Sequence, residues 1–463
     1  MAHDQSDVKA STSWALYLTL AASWTASLCM GTALGYSSPA SESLITADVS
    51  PDDTFWFGSM LALGAALGCM AGCLLAQVVG RRYTLLVCAV GFGGAWTCLF
   101  MASTTLLLYI GRFSTGFFTG IVSLCVPTYI AEVTTPDSRG PLGGCLQLAI
   151  TVGILYSFTV GRFLDWAWLA LSCTIPALVL ASLSQFCVES PRWLLLHDQR
   201  KRATEALRLL RSSEADVEDE CHAIETTFAS VRIPGTHVLL ALHVMFLQQF
   251  SGINMIIFYS STTFANAGLS LAALDVSILV GVLQVAATAV AVSLMDVIGR
   301  RRMLLASALV CTASMLAMGL LDTLGTPSAS GAPPTMAERL PVPLMAFFVA
   351  GFSLGLGPVT WLLAAELVPL RDHGLLMGVT CAFNWACAFA VTLFFESVHT
   401  TFKFSGLGWF FSSVSLVGSL LVAMFLPETS RRSLEQILIE APRKEPVELP
   451  SVRTGQISTR RGQ

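Results

Sequence analysis

The chain has 463 residues, 54% of them hydrophobic and 12% charged, about half the charged share of a soluble globular protein. That composition excludes a water-soluble domain and places the chain in a lipid bilayer. The formal net charge of −4 averages an acidic side and a basic side, and nucleic acid is not implied.

Residues 1–13 read as a cytoplasmic N-terminal tail. Lys9 stands beside Asp4 and Asp7, and the apolar run that follows is too long for the core of a cleavable signal peptide. Stretches without Asp, Glu, Lys or Arg then follow at 10–41, 54–80, 83–111, 113–131, 140–161, 166–188, 233–274, 276–295, 303–321, 340–365, 373–395 and 404–427. Each holds the roughly 20 residues that a helix needs to cross a hydrocarbon core. The prediction is an all-α membrane protein of twelve transmembrane helices, six over 14–188 and six over 237–427.

Between the bundles, 189–236 begins with Arg200, Lys201 and Arg202 and later carries Asp216, Glu218, Asp219 and Glu220. Ala203, Leu207 and Leu210 recur at helical spacing, which predicts a small cytoplasmic segment of two or three amphipathic helices packed on a neighbour. Residues 322–340, with Pro327, Ser328, Ser330, Gly331, Pro333 and Pro334, read as an irregular outside loop. Residues 428–463 read as a cytoplasmic C-terminal helix and, from Ala441, a disordered tail rich in proline and charge. With the N-terminus in the cytoplasm, 22 of the 26 Lys and Arg lie inside; Arg162, Arg339 and Lys403 lie outside, and Arg112 falls at membrane level. Both termini are therefore placed in the cytoplasm.

Of the thirteen cysteines, all but Cys221 lie in apolar stretches without paired metal spacing. They read as small buried hydrophobes. Cys69 and Cys73 share a helix face, but no His or carboxylate accompanies them, so no metal or other cofactor is expected.

The chain repeats itself. Val-Val-Gly-Arg-Arg at 78–82 returns as Val-Ile-Gly-Arg-Arg-Arg at 297–302, and Ala-Glu-Val at 131–133 as Ala-Glu-Leu at 365–367. Val-Glu-Ser-Pro-Arg at 188–192 returns as Pro-Glu-Thr-Ser-Arg at 427–431. Three marks in one order indicate duplicated halves, which in a membrane protein suggest a transporter with its site between them. The charges at these marks recur together: Glu132, Arg139, Glu189 and Arg192 in the first half, Glu366, Arg371, Glu428 and Arg431 in the second. They are expected to oppose one another across the boundary between the halves, pairing when the inside is shut. Arg112, about 30 Å of helix before Glu132, belongs to the outer half of the membrane and needs a partner, a wet cavity or the headgroups there.

Uncharged polar groups inside the apolar stretches form a second set: Gln147, Gln248, Gln249, Asn254, Gln284 and Asn384, with Trp361 and Trp385. Amides both donate and accept, as sugar hydroxyls do, and indole rings stack on the carbon faces of a sugar. On an unbroken helix Gln249 and Asn254 point about 140° apart. Gly252 between them is expected to interrupt the helix and turn both to one cavity.

Gly-Arg-Phe-Ser-Thr-Gly (111–116), Pro-Thr-Tyr-Ile-Ala-Glu (127–132), Glu-Ser-Pro-Arg-Trp-Leu (189–194), Gln-Gln-Phe-Ser-Gly-Ile-Asn (248–254), Gly-Pro-Val-Thr-Trp (357–361) and Pro-Glu-Thr (427–429) together resemble the sugar porters of the major facilitator superfamily. Within these the chain is similar to the facilitative glucose transporters, their class III branch and the arthropod trehalose transporters. The resemblance implies two six-helix bundles and alternating access. It assigns sugar contacts to Gln147, Gln248, Gln249, Asn254, Gln284, Trp361 and Trp385. Asn384 is a substitute for a family amide that falls on Ala388. An inner gate is assigned to Arg81, Glu132, Arg139, Glu189, Arg192, Asp296, Arg300, Glu366 and Glu428.

The departures bear on function. A gate aspartate of the family is Gln77 in the first half and stays Asp296 in the second, and a glutamate of some members is Ser353. The aspartate that marks proton-coupled members, just after Gly-Tyr, is Ser37. The reading is therefore a hexose uniporter, working as a monomer in the cell membrane. The alternatives are a proton-coupled symporter, a trehalose transporter and a sugar sensor that moves nothing.

Overall fold

The computed structural model describes residues 13–47, 49–211, 217–230, 235–254, 256–257, 272–324, 336–368, 373–430, 432 and 437. The first half comprises α1 (Trp14–Thr46), α2 (Pro51–Val79), α3 (Arg81–Phe100), α4 (Thr105–Val133), α5 (Arg139–Gly161) and a sixth span made of α6 (Trp166–Ser172) and α7 (Thr174–Ser184). Three short helices follow: α8 (Pro191–Leu196), α9 (Arg200–Leu210) and α10 (Val217–Ser230). The second half begins with α11 (Gly235–Gln249), α12 (Ala273–Ile298), α13 (Arg300–Leu324) and the one-turn α14 (Met336–Arg339). Its tenth span is α15 (Pro341–Leu354) with α16 (Pro358–Leu367), and α17 (His373–Phe425) carries the last two spans, Leu375–Leu393 and Phe404–Phe425.

Ten segments are long and apolar enough to cross a membrane among the described residues; α1 and α11 complete the predicted twelve. Each falls short of that test for a local reason. α1 is rich in hydroxyls, which it hides by donating them one turn back: Thr19 to Ala15 O at 2.9 Å, Ser23 to Thr19 O at 2.9 Å and Ser27 to Ser23 O at 3.0 Å. α11 stops after 15 residues, where the chain breaks on the way to Gly252 at φ +97°.

Helix starts are set by side-chain caps. Ser50 Oγ accepts from Asp53 N at 3.1 Å with Pro51 at the first helical position, Thr104 caps α4 through Leu107 N at 3.3 Å, and Ser190 caps α8 through Trp193 N at 3.2 Å. The sixth span, predicted as one helix, is divided at Cys173. Pro176 has no N–H for the carbonyl four residues earlier, and Tyr156 Oη donates to that carbonyl, Ser172 O, at 3.3 Å.

Within the first half α2 and α4 cross at backbone contact. A Cβ on Gly68 would lie 2.0 Å from Phe117 O, and one on Gly120 would lie 2.0 Å from Ala65 O. Small residues substitute here for the hydrophobic effect, which does not drive helices together in lipid. α9 buries Ala203, Leu207 and Leu210, and Arg211 ties the segment to the first half by donating to Val133 O at 2.7 Å while pairing with Glu220 at 2.8 Å.

The Gly-Arg-Arg turns and α8–α10 mark one side of the molecule, the basic face; the opposite side is the far face. Residues 1–12, the centre of the loop at 322–340, and all of 441–463 lie outside the described residues.

Candidate functional site

At the end of α11 the chain leaves helical geometry through Ser251 and Gly252 and returns to it at Ile253. The expected interruption at Gly252 is present, and both Gln249 and Asn254 line one cavity of about 510 Å³. The same cavity is lined by Gln147 and Ile154 on α5, Gln284 on α12, Phe352 and Ser353 on α15, Trp361 on α16, and Trp385 and Ala388 on α17. It runs between the halves toward the far face, where Ser37, Ser38 and Ser41 of α1, Thr54 and Ser59 of α2, Ser277 of α12 and Thr392 of α17 add hydroxyls to its wall. Its volume lies within the usual range of small-molecule sites, about 300–1,000 Å³. No charged side chain lines it among the described residues.

A second helix break shapes the amide cluster. Between α15 and α16 the carbonyls of Leu356 and Gly357 accept from Gln248 Nε2 at 3.0 and 3.3 Å. Gln248 Oε1 accepts from Asn384 Nδ2 at 3.0 Å, and Asn384 Nδ2 also donates to Met245 O at 3.0 Å. Asn384 Oδ1 in turn accepts from Gln249 Nε2 at 3.0 Å, and Gln249 Oε1 from Asn254 Nδ2 at 3.3 Å. Both donors of Gln248 are thereby occupied. One donor of Gln249, the acceptor of Asn254, and the amides of Gln147 and Gln284, for which no bond is described, are left to face the cavity.

Asn384 is a correction to its expected place as a sugar contact. It is 0% exposed and stands behind the cavity wall, where it holds Gln248 and Gln249 rather than facing a ligand. Trp385, the next residue, does face the cavity, and its indole N–H donates to Ser123 Oγ on α4 at 3.1 Å. Ser123 and, apart from Ser37, the hydroxyls near the far face were not singled out from sequence. The clustering of serines at the end of the charge-free stretch 10–41 was the available signal.

On the basic face several of the charged residues pair within their own half; Arg371 and Arg431 lie outside the described residues. Arg81 Nη2 meets Glu132 Oε1 at 3.0 Å with both side chains buried, inside the first half. Arg300 Nη1 meets Asp296 Oδ1 at 2.8 Å and its Nη2 lies 3.9 Å from Glu366 Oε1, inside the second. Glu189 and Glu428 serve as caps. Glu189 accepts from the backbone N–H of Arg81 and Arg82 at 2.8 and 3.2 Å, and Glu428 from those of Arg300 and Arg301 at 2.9 and 3.3 Å. Each thus satisfies the free amides and favours the positive end of the helix that follows a glycine turn.

Those turns need glycine. Gly80 and Gly299 have φ +87° and +91°, and a Cβ would sit 2.4 and 2.6 Å from the carboxylates of Glu189 and Glu428. Burial pushes the Glu189 carboxyl above its ordinary range, against the backbone bonds and the Arg81 charge that pull it down. Sequence order shows that these residues recur, but not that a short carboxylate reaches its own half first.

Contact between the halves on this face runs through Arg139. Its Nη1 donates to Arg432 O at 3.3 Å, its charge stands near Glu366, and a Cβ on the next residue, Gly140, would lie 2.0 Å from Asp296 Oδ1 and 2.8 Å from Arg300 Nη2. Arg192 is half-buried on α8. Beside Arg81, a void of about 20 Å³ is lined by Gln77, Thr128 and Met377, room for about one water.

Arg112 is fully buried. Its Nη1 donates to Ala33 O at 2.9 Å, its Nη2 bonds Ser37 Oγ, and its guanidinium lies 5.5 Å from the Tyr36 ring centre and 5.3 Å from that of Phe57. Carbonyl, hydroxyl and aromatic faces therefore take the place of a carboxylate partner.

Residues 9–440 match the family model of sugar (and other) transporters. The chain belongs to the sugar porters of the major facilitator superfamily. It is 36% identical over 434 residues to the facilitated glucose transporter member 8 of solute carrier family 2 from Mus musculus, covering 89% of this chain and 91% of that one. It is 34% identical to the facilitated trehalose transporter Tret1-2 homolog of Drosophila sechellia, covering 89% and 88%. Its fold matches that of the proton:xylose symporter XylE, with a TM-score of 0.80 at 22% identity over 91% of this chain and 98% of that one. The chain is therefore a multi-pass membrane protein that transports sugar.

Proposed function

We propose that this porter is a hexose uniporter that exposes its midplane cavity alternately to the two sides of the membrane. The basic face is cytoplasmic in this reading, so the structure corresponds to the state closed to the cytoplasm. Gln147, Gln249, Asn254 and Gln284 bond the sugar hydroxyls, Trp361 and Trp385 pack on its ring, and Gln248 and Asn384 keep the amides aimed.

The observation that carries the proposal is an uncharged cavity lined by amides and indoles, with Ser37 rather than a carboxylate beside Arg112. Hydroxyl recognition needs groups that both donate and accept. Coupling to protons needs a group that takes one up within the membrane, and no carboxylate lines the cavity among the described residues. The cell membrane as location and a monomer as working unit belong to the same proposal.

A second reading, transport of a disaccharide such as trehalose, is favoured by one feature. Where family members carry a glutamate and an amide, this cavity is lined by the smaller Ser353 and Ala388. Purified protein in proteoliposomes, given labelled glucose, fructose, galactose and trehalose with and without a pH gradient, separates these readings. Hexose uptake down its own gradient at unchanged lumenal pH supports uniport. Sugar-driven alkalinisation or acidification overturns it, and uptake of trehalose in preference to every hexose selects the second reading.

A further inference from the structure

Cys69 on α2 and Cys381 on α17 reach Ser123 of α4 from the two halves of the molecule. The meeting begins with a proline. Pro127 in α4 has no N–H to give to the carbonyl four residues earlier, and Cys381 Sγ donates to that carbonyl, Ser123 O, at 3.9 Å. Cys69 Sγ lies 3.5 Å from Ser123 Oγ and donates to Gly120 O at 3.3 Å. Two thiols, one from each half, thus converge on Ser123. α2 and α17 come this close because Gly378 has no side chain: a Cβ there would lie 2.9 Å from Cys73 Cβ and 3.4 Å from Cys69 O.

Both cysteines are 0% exposed and unbridged. Cys73 directs its thiol back to Met70 O at 3.1 Å, which leaves Cys69 as the partner for Cys381. One turn beyond Cys381, Trp385 donates to the same Ser123 hydroxyl at 3.1 Å. The cluster around Ser123 is thus continuous with the wall of the cavity.

We propose that Cys69 and Cys381 form an oxidative modification site, whose disulfide clamps the two halves with the basic face closed. The oxidant is a peroxide. When the basic face opens, solvent from that side reaches the thiols; one attacks the peroxide O–O bond, becoming a sulfenic acid and releasing water. On closure the other thiol attacks the sulfenic sulfur, the S–S bond forms and a second water leaves. The sulfur pair gives up two electrons and hydrogen peroxide is reduced to two waters. A sulfur–sulfur bond of about 2.05 Å leaves α2 and α17 no freedom to part, and a dithiol reverses the clamp by exchange.

The test uses full-length protein in proteoliposomes treated with hydrogen peroxide, with three readouts. These are peptide mapping of disulfides, uptake of labelled D-glucose, and amide exchange at residues 131–138 on the basic face. A 69–381 linkage, uptake lowered by about tenfold or more and slower exchange are expected, all restored by dithiothreitol. Cys69→Ser and Cys381→Ser each abolish the response, and Cys73→Ser keeps it. Absence of the linkage, a linkage that leaves exchange unchanged, or full peroxide sensitivity in Cys69→Ser overturns the proposal. The mapping and exchange readouts do not depend on which sugar is carried, so failure of glucose uptake alone bears on the transport reading and not on the clamp.

Discussion

Asn384 Nδ2 donates to Gln248 Oε1 at 3.0 Å while standing outside the cavity that Gln248 lines. Asn384→Ala therefore removes no ligand contact, yet it frees a buried acceptor on Gln248 and a donor on Gln249 to turn away from their positions. Sugar affinity is expected to fall by about 1–3 kcal/mol, the cost of leaving buried polar groups unpaired. Equilibrium binding measured by quenching of tryptophan fluorescence checks this, with a thermal melt to show that the variant is folded. Unchanged affinity would free the amides from Asn384.

The two basic-face arginines differ in their carboxylates. Arg300 has Asp296 at 2.8 Å, one helical turn earlier, and Glu366 at 3.9 Å; Arg81 has Glu132 at 3.0 Å, and Gln77 stands at the position equivalent to Asp296. Gln77→Asp is expected to add a charge-assisted bond in the closed state and to shift the population toward it. A gain of about 1 kcal/mol lowers the open fraction roughly fivefold. The measurement is the rate of thiol labelling at Thr128→Cys, in a background where reactive native cysteines have been replaced. An unchanged rate would show that the missing carboxylate does not limit closure.

Gly80→Ala and Gly299→Ala should both destabilise the fold, by about 1–3 kcal/mol from backbone conformation alone. The clash with Glu189 or Glu428 adds to this, because the new Cβ lands 2.4 or 2.6 Å from a carboxylate oxygen. Melting in detergent should show a lowered midpoint for each, with the double variant lower still.

Glu189 gives a pH signature. Its carboxyl titrates above the ordinary 4.5 because burial opposes its charge. In the window from that value up to its raised native value, the folded state holds a proton that the unfolded state has released. Stability contributed by the group is therefore present below about 4.5 and declines as pH rises through the native value. Relative to Glu189→Gln, which does not titrate, the native protein should lose melting temperature across that window and run parallel above it.

Much of the fold was legible because the bilayer imposes a length on every span and the positions of charge delimit those lengths. Gly252 announced its helix break, since two amides on opposite faces had no other way to share a cavity. The division at Cys173 and the break before Pro358 were less legible: each depends on where a freed carbonyl finds a donor, Tyr156 in one case and Gln248 in the other. Asn384 and Gln248 are both amides in apolar stretches, and only packing separates the one that lines the cavity from the one behind it. The pairing of Arg81 with Glu132 was hidden for the same reason, because a recurring motif does not reveal whether its partner sits in its own half or the opposite one.

The caps at Glu189 and Glu428 also impose a timetable on synthesis. The amides of Arg81 and Arg82 wait for a carboxylate made 108 and 107 residues later, and those of Arg300 and Arg301 for one made 128 and 127 later. At a ribosomal pace of about 5–20 residues per second, the first of these intervals lasts about 5–20 s. Throughout it the turn after α2 is a loose end, and the first bundle is latched only when its sixth span has been delivered. The second bundle is latched in turn by Glu428, beyond its last span, so a nascent porter stalled before that residue would hold one finished half and one still unfastened.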